Sequence, residues 1–208
     1  MQNMMKPKTG TAITGRRKLS VTVDGDGCAT GTAAAVTQWC TNATPKCCQG
    51  RKACFNWSAD ATYTICPGAC DGTNSCGFIA NREPAGSTVK VGGDACVGDH
   101  ACYRFHSAND VRATISTIDI GSQSCRAKSA CNNVAARAII TSPSRQITVP
   151  SNQCNDEKVC SDCALDATDT TVNPLFITTQ CCQGKGGASG ASHSECNVDP
   201  TPASSAGG

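Results

Sequence analysis

The motif C-x5-C occurs five times in this chain: Cys48 to Cys54, Cys70 to Cys76, Cys96 to Cys102, Cys125 to Cys131, and Cys154 to Cys160. Two degenerate copies flank them, with Ala34 following Cys28 and Ala188 following Cys182 where a second cysteine would stand. Successive first cysteines lie 20, 22, 26, 29, 29 and 28 residues apart. A recurrence at this period marks stacked units, none of which can bury its apolar face alone.

Aligning the copies on the first cysteine tests the idea. Five residues before it stand Val23, Ala43, Ile65, Val91, Ile120, Val149 and Ile177, and seven before it stand Val21, Thr41, Tyr63, Val89, Ile118, Ile147 and Leu175. Between these columns lie Thr22, Asn42, Thr64, Lys90, Asp119, Thr148 and Phe176. Alternation of apolar, polar and apolar predicts a strand with one face inward. Gly92, Gly121 or Pro150 then ends the strand in three copies. A corner follows, with Gly50, Gly72, Gly98 and Gly184 two residues past the first cysteine. Beyond the second cysteine, Trp57, Ile79, Phe105, Val134 and Cys163 predict a short second strand, with Val36 one place earlier in the first copy. Val111–Ile115 and Ala138–Ile140 form a last apolar segment in longer copies.

The expected fold is therefore all-β, a disulfide-stapled parallel β-helix of about seven irregular rungs, roughly 34 Å long at the usual strand spacing. The alternative is an antiparallel β-sandwich, which also uses short, regularly spaced strands. Residues 1–18 are expected to be a linker-like leading segment, 19–196 the cysteine-rich domain, and 197–208 a flexible Pro/Ser/Ala/Gly tail.

Eighteen cysteines in 208 residues predict a disulfide framework and an oxidising compartment. Cys160 and Cys163 alone have C-x2-C spacing, and no second pair completes a zinc site. Bridges within each rung are favoured over a ladder between rungs, because seven first-column cysteines cannot all pair. The remaining Cys28, Cys40, Cys47, Cys66, Cys163, Cys181, Cys182 and Cys196 gather toward the ends of the array, and spacing leaves their pairing open. The first residues carry no apolar signal region, so the chain reads as a fragment of a longer protein. Asn42 and Asn56 head two sequons that suit an exported surface.

The stretch VKVGGDACVGDHAC, Val89 to Cys102, carries a likeness. It resembles the cysteine-rich β-helix repeat proteins of heterokont algae and related marine protists, over about Leu19 to Cys182. The resemblance implies a right-handed β-helix that is secreted or displayed at a cell surface. It carries over no catalytic residues.

A net charge of +2 gives no field pointing to nucleic acid or to an anionic membrane. No apolar run is long enough to span a bilayer. Asp99, His100, Arg104, His106 and Asp110 crowd one rung and are the candidate binding residues. They are also where polysaccharide-cleaving chemistry would be sought, although the strand column offers no carboxylate pair. An ice-binding face would need unbroken ranks of Thr, and Lys90 and Asp119 interrupt this one. VDGDGC at Val23 to Cys28 lacks the later ligands of a calcium loop. The reading is a non-catalytic extracellular or surface module for adhesion, matrix or display. No cofactor or metal is expected, and glycans or extracellular proteins are the expected partners. The long loops holding Arg104, His106, Arg112, Arg137 and Arg145 would contact them.

Overall fold

The computed structural model describes residues 20–80, 86–105, 115–134, 145–161, 163 and 175–176. The Val111–Ile115 segment lies outside them except for Ile115, and so do Ala138–Ile140, Cys181, Cys182, Cys196 and the two terminal segments.

One seven-stranded sheet runs in chain order through β1 (Thr22–Val23), β2 (Ala29–Thr32), β3 (Thr62–Ile65), β4 (Thr88–Val91), β5 (Ile115–Ile120), β6 (Arg145–Val149) and β7 (Leu175–Phe176). From β3 onward every pairing is parallel, and equivalent residues of successive copies face one another. Tyr63 pairs Val89, which pairs Ile118, which pairs Ile147. Ile65, Val91, Ile120 and Val149 form the second such row. All eight side chains are at most 1% exposed. Burying an aliphatic side chain this fully stabilises by roughly 1.5–3 kcal/mol, so the alternating pattern pins the register. The sequential parallel order is not that of an antiparallel sandwich.

Much of the rest of the core is sulfur and small side chains, joined by Val36, Ile79, Phe105 and Val134, and few aromatics are needed to fill it. The bridges Cys48–Cys54, Cys70–Cys76, Cys96–Cys102, Cys125–Cys131 and Cys154–Cys160 each close one corner, with Cα atoms 5.5–5.7 Å apart. Ser75, Ala101 and Ala130, just before the second cysteine, are fully buried. A larger group there would displace the sulfurs. Buried Ser75 donates its hydroxyl to the carbonyl of Cys96 in the next copy, and Ser124 donates to Pro150 O at 2.6 Å.

The corners have an unusual backbone. In the four copies that start at Cys48, Cys70, Cys96 and Cys125, the first cysteine, the residue four later, the second cysteine and the residue two beyond it all have positive φ; in the Cys96 copy these are Cys96, His100, Cys102 and Arg104, at 52–60°. In this copy each such residue turns its N–H along the stack. Cys96 N donates to Ser124 O at 2.8 Å and Cys102 N to Ala130 O at 2.9 Å in the next copy, while His100 N reaches back to Thr73 O and Arg104 N to Gly77 O, both at 2.8 Å. The residues between them close tight turns inside the copy, as Ala101 N does on Gly98 O and Tyr103 N on His100 O, both at 3.2 Å. Left-handed φ costs a non-glycine residue roughly 1–2 kcal/mol, and a buried N–H left unpaired costs as much or more. Pairing these N–H groups offsets the strain.

Two expectations are corrected. The segment after the second cysteine is turn, not strand, although Ile79, Phe105 and Val134 are fully buried as a strand would have placed them. The first two copies are also not parallel strands. β1 pairs antiparallel with β2, and β2 antiparallel with β3, so the Val21–Val23 region opens a hairpin. Thr41, Asn42 and Ala43 follow a helix, α1 (Ala33–Cys40), whose C-cap is Thr41. The run AAAVTQWC explains this: alanine is the best helix former, and the Thr32 hydroxyl accepts from Ala35 N at 3.4 Å as an N-cap. Val36 is buried on that helix. The end cysteines follow suit, with Cys28 bridged to Cys66 and Cys40 to Cys47. Cys163 is disulfide-bonded as well, and no described cysteine is free.

Trp57 joins the irregular copy to the regular ones. Its indole lies on Tyr63 with centroids 4.4 Å apart at 11°, and Nε1 donates to Cys76 O at 2.7 Å. Trp57→Phe keeps a ring but deletes that donor, and is expected to cost about 1–2 kcal/mol in urea unfolding. An unchanged midpoint would show that the bond contributes nothing net.

Candidate functional site

The stacking of corners brings equivalent residues of different copies into columns on the outer surface. Four residues past the first cysteine stand Lys52, Asn74, His100, Ser129 and Lys158. Beside them runs an aromatic row formed by Phe55, Phe78 and Tyr103. Phe55 and Phe78 meet edge-to-face with centroids 5.9 Å apart, and Phe78 and Tyr103 do so at 5.6 Å. Lys52 Nζ lies 5.8 Å from the Phe55 ring centre and the Arg104 guanidinium 5.3 Å from that of Tyr103, so a cation marks each end. His100 meets Tyr103 edge-to-face at 5.3 Å. Phe55 is 43% exposed, and it is the one large hydrophobic side chain so exposed among the described residues.

Glycine makes the row fit. A Cβ on Gly77 would stand 3.1 and 3.3 Å from ring carbons of Tyr103, so the absent side chain leaves room for that ring over the preceding copy.

The predicted cluster is partly assembled here. Asp99 Oδ1 accepts from Thr73 N at 2.9 Å, tying its carboxylate to the preceding corner. His100 Nε2 lies 3.0 Å from Asn74 Nδ2 of that same corner. Arg104 is exposed beside Tyr103. His106 and Asp110 lie outside the described residues. Asp99 and His100 are thus engaged in joining copies, and the arrangement offers a surface for contact more readily than an acid–base pair. Sequence reading missed the aromatic row because its members sit at offsets of seven, eight and seven from their first cysteines. The visible signal was Phe or Tyr just after the second cysteine in three successive copies.

Other candidates resolve into structure. In VDGDGC, Asp24 Oδ1 accepts from Asp26 N at 3.1 Å and from Cys28 N at 2.9 Å, closing the β1–β2 turn. The sulfurs of Cys131, Cys154 and Cys160 lie within 4.8 Å of one another, as stacked bridges must, but a disulfide sulfur is no thiolate ligand. Asn42 and Asn56 are both exposed. On the outer sheet face Lys90 stands directly opposite Asp119. A second outward row, Thr62, Thr88 and Thr117, runs beside theirs, and Thr88 Oγ1 donates to Thr117 Oγ1 at 3.3 Å. No described helix is long and apolar enough to cross a membrane.

No protein-family model, curated protein or solved structure matches the chain.

Proposed function

We propose that this chain is a secreted or surface-displayed β-solenoid, wound right-handed, that serves as a non-catalytic structural and binding module. The observation carrying this reading is the closure of every regular corner by its own bridge, with corner N–H groups paired to the copies on either side. Such a stack holds its surface columns at fixed spacing without relying on a large apolar core. Disulfides at this density form and persist in oxidising compartments, and a rigid scaffold there serves adhesion, matrix assembly or display. The partners are glycans or extracellular proteins.

The test is a thiol and disulfide map of the native protein from its producing cells, with surface labelling of intact cells beside it. Alkylation before reduction is expected to find no free thiol, peptide mapping to return the five corner bridges, and label or medium to contain the chain. A reduced, cell-internal protein would overturn the reading.

A further inference from the structure

We propose that the aromatic row Phe55–Phe78–Tyr103 with its flanking cations binds an anionic polysaccharide, one bearing uronate or sulfate groups, laid along the stack. This rests on the extracellular solenoid reading above and names the ligand of its corner face.

Three observations carry it. The first is exposure. The chain has only four Phe, and Phe55 stays 43% exposed at the end of a row of touching rings when burial would stabilise it. A pyranose ring has an apolar C–H face that covers an aromatic ring without stranding its hydroxyls. That suits a surface ring with polar neighbours better than a wholly apolar partner would.

The second is charge. Consider the columns three, four, seven and eight residues past the first cysteine, in the copies starting at Cys48, Cys70, Cys96 and Cys125. They hold four cations, Arg51, Lys52, Arg104 and Lys128, against one carboxylate, Asp99. Asp99 is turned toward Thr73 N, which answers part of its charge. The next copy adds Glu157 beside Lys158 in the same columns, and the chain as a whole is nearly neutral at +2, so positive charge is concentrated in the copies around the rings. Asn74 and His100 add hydrogen-bonding groups beside the rings.

The third is spacing. Copies advance by one strand separation, about 4.8 Å. That is close to the length of one sugar in an extended polysaccharide. A ribbon that turns over at each sugar presents the same face at every second one. Neighbouring rings stand 5.9 and 5.6 Å apart, one ring per copy from Phe55 through Phe78 to Tyr103. A polysaccharide laid along the stack therefore passes about one ring per sugar.

The experiment is affinity electrophoresis of the full chain through gels containing alginate, carboxymethyl cellulose or uncharged hydroxyethyl cellulose, with single-stranded DNA as a polyanion without sugar faces for stacking in this register. Wild-type protein is expected to be retarded by alginate and carboxymethyl cellulose and not by hydroxyethyl cellulose. Phe55→Ser should weaken binding by about tenfold or more, the scale of one buried aromatic. Lys52→Glu should weaken it similarly, and Lys90→Glu on the outer sheet face should leave it unchanged. Phe55 and Lys52 are exposed, so thermal unfolding of these variants should match wild type. Absence of retardation, retardation indifferent to Phe55→Ser and Lys52→Glu, or equal Phe55-dependent retention by DNA would each overturn the inference. If the disulfide map holds and retardation fails, only the ligand assignment falls. If the thiols are free, the scaffold reading falls first.

Discussion

Gly72→Ala is expected to destabilise the protein by about 3–5 kcal/mol, more than any exposed substitution. Gly50, Gly72 and Gly98 stack two residues past the first cysteine with φ of 102°, 134° and 123°. A Cβ on Gly72 would lie 2.5 Å from both the carbonyl carbon and the oxygen of Gly98, which are backbone atoms and cannot swing aside. The copies would have to part, at the expense of the bonds from Gly98 N to Asp71 O at 2.6 Å and from His100 N to Thr73 O at 2.8 Å. Gly25→Ala is the control, having neither positive φ nor any atom within 4 Å of the added carbon, and should shift stability by less than about 0.5 kcal/mol. Urea unfolding of the two variants beside wild type decides the matter. Equal midpoints for all three would mean that the corners do not stack this closely.

Complete reduction is expected to abolish cooperative folding at room temperature without denaturant. Six of the seven described bridges close loops with sequence separations of only 6 or 7. Each loop of that size contributes roughly 2–3 kcal/mol by restricting the unfolded chain. A few such contributions equal the usual net stability of a domain, about 5–15 kcal/mol. Packing works in the same direction. Cys70, Cys76, Cys96, Cys102, Cys125, Cys131 and Cys154 are fully buried, and separated thiols need more room than a bonded pair. Circular dichroism across a urea series, with and without a phosphine reductant, reads the effect. A reduced protein that keeps a cooperative transition near the oxidised midpoint would refute a sulfur-based core.

The regular half of the fold was legible because two independent constraints coincide in the sequence. Period-two alternation placed Tyr63, Val89, Ile118 and Ile147 inside, and the cysteine spacing set the register that brings them together. The leading end was not legible for the opposite reason. Cysteine position suggested further copies there, while AAAVTQWC has a local helical preference that outweighs the repeat. The corner conformation was also hidden. Ring-bearing and charged residues such as Phe78, His100 and Arg104 adopt positive φ while neighbouring copies take up their N–H groups, and a single sequence window carries no trace of that. Of the candidate site, Asp99, His100 and Arg104 were visible as a polar cluster. The rings that give the cluster a surface belong to other copies, which only stacking brings near.

The one-corner, one-bridge arrangement also changes what cutting the chain does. Arg51 and Lys52 lie between Cys48 and Cys54, Arg126 and Lys128 between Cys125 and Cys131, and Lys158 between Cys154 and Cys160. Each is a peptide bond that a trypsin-like protease would recognise, and each lies inside a loop closed by sulfur. Hydrolysis at any of them adds one water and releases no fragment, because the bridge still joins the two ends. The two most basic corners of the molecule, Cys48–Cys54 and Cys125–Cys131, are therefore among the places where a nick leaves it in one piece.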